Sequence, residues 1–207
     1  MQKPRLVLAT NNKHKVKEIK AILKRARINA QVLTLDDFPK ARPVVENKPT
    51  IEGNAIKKAR EVAKRTRCLA LSDDTGLFIN ALRGAPGVYS ARFAGAGCTF
   101  VDNNRKVLRL LKNTPASKRG ASFRCVAALA LPSGKTFFAQ GRISGRIDTE
   151  MRGKVGFGYD PIFYVPRFKK TFAEMGPALK NKISHRGKAF SHVPRLLRRA
   201  LKATGSI

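Results

Sequence analysis

Residues 5–26 read RLVLATNNKHKVKEIKAILKRA, and this stretch decides the fold class. Its opening, RLVLAT at 5–10, is a short apolar run with Val and Leu, the pattern of a buried strand. The polar turn TNNKHK follows at 10–15. Val16, Ile19, Ile22, Leu23 and Ala26 then recur at helical spacing. A strand, a polar loop and a helix in that order form a βα unit, whose helix N-terminus faces whatever binds there.

Beyond this unit, QVLTLD at 31–36 reads as a second strand, and the stretch from Phe38 to Thr50, with Pro39, Pro43 and Pro49, as a loop. Ala55, Ala59, Val62 and Ala63 continue as a helix with Lys and Arg outside. LALS at 69–72 reads as a short buried strand that ends at Asp73-Asp74. Residues 83–97, rich in Gly and Ala, are expected to be irregular. Val107, Leu108, Leu110 and Leu111 suggest a helix. Segments 121–131 and 135–147 flank Pro132-Ser133-Gly134, a hairpin signature. A last helix carries Ala189, Phe190, Val193, Leu197, Ala200 and Leu201 on one side, started or kinked by Pro194. The alternation predicts an α/β fold on a mixed sheet.

The length, 207 residues, suits one sizeable domain or two lobes sharing a core. Hydrophobic residues at 43% and 12 Phe exclude a disordered chain. With 43 Lys and Arg against 13 Asp and Glu, the net charge is +30. That excludes an ordinary acidic surface and favours non-specific association with polyanions through the field alone. Cys68, Cys98 and Cys125 form no CxxC pair, so a reducing compartment is the simpler reading. There is no run of about 18 apolar residues to cross a membrane. The N-terminal apolar stretch is too short for a signal-peptide core. The expectation is an unprocessed, soluble cytoplasmic protein.

In a chain this short of acids, clustered carboxylates invite a chemical reading. Asp73-Asp74 follow an apolar strand, Asp160 lies in GFGYDPIF at 156–163, and Glu46 and Glu52 bracket a Pro-containing loop. Such carboxylates can hold Mg²⁺ beside substrate phosphates or take a proton from water. An isolated Asp-Asp, though, is more often a turn or a cap. Thr10-Asn11-Asn12-Lys13-His14-Lys15 precedes a helix, where backbone N–H groups and lysines make a phosphate site. It lacks the glycines of a Walker A loop, and Thr or Asn there is commonly only an N-cap. In GFGYDPIF, Phe157 can stack on a base and Asp160 can accept hydrogen bonds; the bland alternative is a Gly-Pro turn over core aromatics. Ser184-His185-Arg186-Gly187, preceded by Lys180 and Lys182, offers a guanidinium fork and an imidazole or else plain surface polarity. No His/Cys cluster has zinc spacing.

Taken together, LATNNKHKVKEI at 8–19, NAIKKA at 54–59, SDDTGLFINALRGAPGVYSARFAG at 72–95, GFGYDPIF at 156–163 and KNKISHRGKAF at 180–190 resemble the Ham1-like, or inosine triphosphate pyrophosphatase, family. The five blocks keep the family's order across nearly the whole chain, which the resemblance treats as a single pyrophosphatase domain. It implies a long mixed sheet in two lobes with an active-site cleft, usually in a homodimer. It also implies roles. Thr10, Asn11, Asn12, Lys13, His14 and Lys15 hold the triphosphate. Asp74 is general base and metal carboxylate, with Glu46 as the other metal carboxylate for Mg²⁺. Thr75 touches substrate where the family usually has Ser. Phe157, Gly158, Tyr159 and Asp160 form the base pocket, completed by Lys180, His185 and Arg186. Three features depart from the family: Gly53 where a Glu often precedes the Asn of NA, Asn11 in place of a frequent Gly, and the charge of +30.

The implied activity is hydrolysis of inosine, deoxyinosine and xanthosine triphosphates to monophosphate and pyrophosphate. A Maf-like nucleotide pyrophosphatase is the nearest rival, disfavoured by the GFGYD and SHRG blocks. A basic nucleic-acid-binding protein is a rival of another class, for which no recognition signature emerges.

Overall fold

A computed structural model describes residues 3–38 and 44–203. Among the described residues there are eight strands: β1 (Arg5–Leu8), β2 (Gln31–Leu33), β3 (Leu69–Ile79), β4 (Pro86–Gly87), β5 (Gly120–Ala130), β6 (Thr136–Ile147), β7 (Phe163–Val165) and β8 (Lys170–Thr171). The helices are α1 (Lys13–Arg25), α2 (Ile51–Thr66), α3 (Phe100–Leu110), α4 (Pro177–Ile183), α5 (His185–Phe190) and α6 (Val193–Ala203). The strand order is β2-β1-β3-β5-β6-β7-β8, with β4 added to β3. β1 runs parallel to β2 and β3, whereas β3/β4, β6/β7 and β7/β8 are antiparallel. The α/β fold on a mixed sheet is therefore as expected.

Two compact units are built on these strands. The first comprises Met1–Asp74, Cys125–Gly141 and Arg186–Ile207; the second comprises Thr75–Arg124 and Arg142–His185. Within the first, strand alternation sorts the apolar side chains onto two faces. Leu6, Leu8, Leu69, Leu71, Ala127 and Leu129 meet Ile19, Ile22 and Leu23 of α1 and Phe190, Val193, Leu196 and Leu197 of the α5–α6 segment. Val7, Ala70, Val126 and Ala128 meet Ala55, Ala59, Val62 and Ala63 of α2. Each fully buried Leu, Ile or Phe is worth about 1.5–3 kcal/mol. That exceeds helix-propensity differences, so the apolar faces decide where the helices lie. The second unit closes on Leu77, Ile79, Val107, Leu111, Phe123, Ile147, Phe163 and Phe172.

Local chemistry moves three boundaries. β2 stops at Leu33, short of the expected 31–36, because the Thr34 N–H and hydroxyl donate to Asp37 Oδ2 at 2.7 and 3.1 Å and cap a 3₁₀ turn over Leu35–Asp37. The last helix is broken into α5 and α6, with Pro194 in the first turn of α6, where no N–H partner is required. Most consequential, β3 does not end at Asp73-Asp74 but runs through both acids to Ile79. The hairpin stands where expected: Leu131 N–H donates to Lys135 O at 2.9 Å, and Gly134 takes φ +88° at the turn. The loop expected around Pro39 and Pro43 lies outside the described residues. Among those described, no helix is long and apolar enough to cross a membrane.

Candidate active site

In the first unit the site begins at the turn from β1 into α1. Asn12 caps the helix: its Oδ1 accepts from Lys15 N–H at 3.2 Å, and Thr10 Oγ1 accepts from Asn12 N–H at 3.2 Å. Asn11, Lys13 and His14 are exposed beside this helix end. The first turn of α1 carries no acid, so the partial positive charge of the helix N-terminus adds to that of the cations.

Successive residues of a strand point to opposite faces, and β3 uses this to give its two acids different partners. Asp73, fully buried, lies on the α1 side. Lys15 Nζ is 3.1 Å from its Oδ2, and Arg186 donates to the same oxygen from Nη2 at 3.0 Å and Nε at 3.3 Å. The other terminal nitrogen of Arg186 donates to Glu18 Oε2 at 2.6 Å. Burial alone would raise the Asp73 carboxyl; Lys15, Arg186 and Lys58 outweigh it and hold it far below the usual range. Asp73 is thus a fixed anion and a poor proton acceptor.

Asp74 lies on the α2 side. Lys58 Nζ donates to Asp74 Oδ1 at 3.3 Å and to Glu46 Oε1 at 2.6 Å. Burial raises the Asp74 carboxyl; Lys58 and Lys15 pull it back, but Glu46 and Asp73 add to the rise, and the net shift is upward. Neighbouring acids of opposite proton affinity give one permanent anion and one group suited to accept a proton. Burial disfavours the Lys58 ammonium, yet Asp74, Asp73 and Glu46 keep its proton on. The loop bearing Glu46 is anchored by Asn54, whose Oδ1 accepts from Lys48 N–H at 2.9 Å.

Sequence reading passed over Lys58, although a signal was present. The buried face of α2 is Asn54, Ala55, Lys58, Ala59 and Val62, so the lysine sits at an apolar register. Among the described residues, no group of three or more His, Cys, Asp or Glu is placed to hold a metal ion. Glu46 and Asp74 nevertheless converge on one positive atom, the Lys58 nitrogen. Two carboxylates with substrate phosphates completing the shell are what Mg²⁺ commonly uses, so this donor set fits that ion.

The second unit holds the other predicted residues. Phe157 N–H donates to Asp160 Oδ2 at 2.8 Å, and Lys180 Nζ donates to the same oxygen at 2.5 Å. The ammonium also stands 4.9 Å from the centre of the Phe157 ring. Gly156 takes φ +91°, and a Cβ there would fall on Asp160 Oδ2, so the turn requires glycine. Asn104, on α3, donates from Nδ2 to Gly158 O at 2.9 Å.

Two predicted pocket residues are core members. Tyr159 is buried and donates its hydroxyl to Ser90 O at 2.8 Å. His185 is stacked on Phe123 with ring centres 4.5 Å apart. Thr75 continues β3 into this unit, half-buried. The structure therefore brings Phe157, Asp160 and Lys180 together in one unit and Lys15, Asp73 and Arg186 together in the other. The guanidinium of Arg186 reaches Asp73 and Glu18 in place of the surface position open to it on sequence grounds.

The model of the Ham1 family matches residues 6–195. The dITP/XTP pyrophosphatase of Desulforamulus reducens is 51% identical over 94% of this chain and 96% of its own length. That of Elusimicrobium minutum is 46% identical, over 94% of this chain and its full length. Among solved structures, a HAM1 protein from Coxiella burnetii superposes with a TM-score of 0.85 at 41% identity, covering 95% of this chain and 99% of that one. With sequence and fold in agreement, the chain belongs to the Ham1 family.

Proposed function

We propose that this protein hydrolyses the triphosphates of deaminated purines (ITP, dITP and XTP) to the monophosphate and pyrophosphate, clearing them from the nucleotide pool. The observation that carries the reading is the pair of adjacent acids on β3. Asp73 is pinned as an anion between Lys15 and Arg186, while Asp74 is raised and faces Lys58 and Glu46. The names of the relatives, dITP/XTP pyrophosphatase, supply the substrate class.

In the first unit, the α1 N-terminus with Lys13, His14 and Lys15 takes the phosphates. Asp74 accepts the proton of the attacking water. The water oxygen bonds to the α-phosphorus as its bond to the bridging oxygen breaks, and pyrophosphate leaves with the electron pair. Lys58 and Lys15 offset the charge that develops on the phosphate oxygens. Glu46 and Asp74 would hold Mg²⁺, which when bound neutralises phosphate charge and favours attack. In the second unit, Phe157 stacks on the purine and Lys180 supplies donors toward a 6-oxo group. Adenine, which carries an amine at that edge, leaves such donors unmatched. Two copies forming a homodimer in the cytoplasm complete the reading.

Pyrophosphate release measured with ITP, XTP, GTP, ATP and TTP, with and without Mg²⁺, tests it. Preferential turnover of ITP and XTP that requires Mg²⁺ is expected. Equal turnover of all five, or a preference for TTP, would overturn the substrate assignment in favour of a Maf-like specificity.

A further inference from the structure

The charge is not evenly arranged on the first unit. α1 and α6 bury their apolar sides in one cluster on one face of the strands, and α2 buries its own on the opposite face. The solvent side of α1 carries Lys13, Lys17, Lys20 and Lys24, with Arg25 beside them; that of α6 carries Arg195, Arg198, Arg199 and Lys202. Neither helix exposes an acid. Glu18, the one carboxylate on α1, is held by Arg186. On the α2 side the charges are mixed: Glu61 pairs with Lys57 and Arg65, and Arg60 donates to Gly134 O and Thr136 Oγ1.

Lys13, Lys17, Lys20 and Lys24 follow the i, i+4, i+7, i+11 row of a helix. At 1.5 Å per residue that stripe is about 16 Å long. Duplex DNA presents one negative charge about every 1.7 Å of its axis, so the stripe runs beside several phosphates. The face lacks what two other polyanions would use. No large hydrophobic or aromatic side chain is exposed on α1 or α6. Single strands are gripped by stacking on aromatic rings, and interfacial helices insert an apolar side into lipid. Here the apolar sides of both helices are in the core.

We infer that the α1/α6 face is a docking surface for double-stranded nucleic acid, which it holds through backbone phosphates without reading sequence. The surface shares Lys13 with the phosphate site proposed above, so the variants that test it leave out Lys13 and Lys15.

Fluorescence anisotropy with a labelled mixed-sequence DNA duplex, over about 50 to 200 mM salt, tests the assignment. The variant K17E/K20E/K24E/R198E is compared with K64E/R105E/R109E/K112E, which makes the same charge change at exposed positions on α2, on α3 and just beyond α3. The face variant is expected to lose more than tenfold in affinity relative to the control variant. Its plot of log affinity against log salt should be shallower than that of the unmodified protein by about 3–4. A K17Q/K20Q/K24Q/R198Q variant covers the case in which the reversals impair folding, and it should show the same direction at smaller size. Circular dichroism monitors the fold of each. Equal losses in the face and control variants would make binding a property of total charge and overturn the proposal. Absence of duplex binding by the unmodified protein would also overturn it. So would intact duplex binding in a face variant that has lost binding to phosphatidylserine vesicles, since the face would then be a lipid surface.

Discussion

The two units hold their functional side chains by different means. Around Asp73 and Asp74, charge holds charge: Lys15, Lys58 and Arg186, drawn from three helices, converge on two residues of one strand, with Glu18 and Glu46 behind them. Around Phe157 the main chain contributes more. Asp160 accepts from a backbone N–H as well as from Lys180, and Asn104 grips a carbonyl. A buried ion pair is expensive to break, because the survivor remains as an uncompensated charge. A neutral hydrogen bond to backbone is worth about 1 kcal/mol. Substitutions in the first region should therefore have large effects that depend on which acid is touched. Those in the second that spare the buried Lys180–Asp160 pair should be modest and felt mainly in binding.

The sharpest break comes from Asp74→Asn. Asparagine keeps the shape but accepts no proton, so kcat should fall by about 10²–10⁴, the usual contribution of a general base, with little change in Tm. Because Asp74 is raised and must be deprotonated to act, the activity of the unmodified protein should fall as pH drops through a value above the ordinary Asp pKa of about 3.9. Near-normal kcat in a folded Asp74→Asn protein would remove it from the mechanism.

Its neighbour should behave in the opposite sense. Asp73→Asn leaves Lys15 and Arg186 facing a neutral amide in a buried site, at a cost of about 3–5 kcal/mol in stability. The sign follows from the lowered carboxyl. Its stabilisation is complete above the unfolded Asp pKa of about 3.9 and is lost as pH falls below that toward the native value. Chemical denaturation of Asp73→Asn at neutral pH and at about pH 3 should show a gap from the unmodified protein that narrows in acid. A large gap that stays constant with pH would mean that Asp73 stabilises by shape and not by charge.

How far the sequence disclosed this arrangement depends on where each residue's partner lies. The βα unit, the hairpin and the helical C-terminal stretch, read as one helix and not two, were legible because their signals are local: apolar period, turn residues, a proline. The acids were legible as a motif but their setting was not. An apolar run of four residues ahead of Asp73 looks like a whole strand, and β3 can continue through the acids only because Lys15, Lys58 and Arg186 neutralise them from elsewhere in the chain. Arg186 had a motif but no visible partner; Asp73 lies 113 residues away. Lys58 was readable in principle from the apolar register of α2. Asn104 had no local mark, since its bond to Gly158 spans 54 residues.

Asn104 also provides the smallest test of the comparison. It is buried, and its Oδ1 has no hydrogen-bond partner among the described residues. An orphaned acceptor of this kind costs about 1–3 kcal/mol, while the bond from Nδ2 to Gly158 O returns about 1 kcal/mol. On stability alone an apolar side chain of the same shape would serve as well, so the gain from the amide must lie in placing Gly158 between Phe157 and Tyr159. Asn104→Leu should accordingly leave Tm unchanged or slightly raised. KM for ITP should rise severalfold, through a less constrained Phe157, with kcat little altered. Parallel thermal melts and steady-state kinetics on one preparation decide the matter. A fall in Tm with KM unchanged would make Asn104 a packing residue, and the second region would then be held by the Lys180–Asp160 ion pair after all.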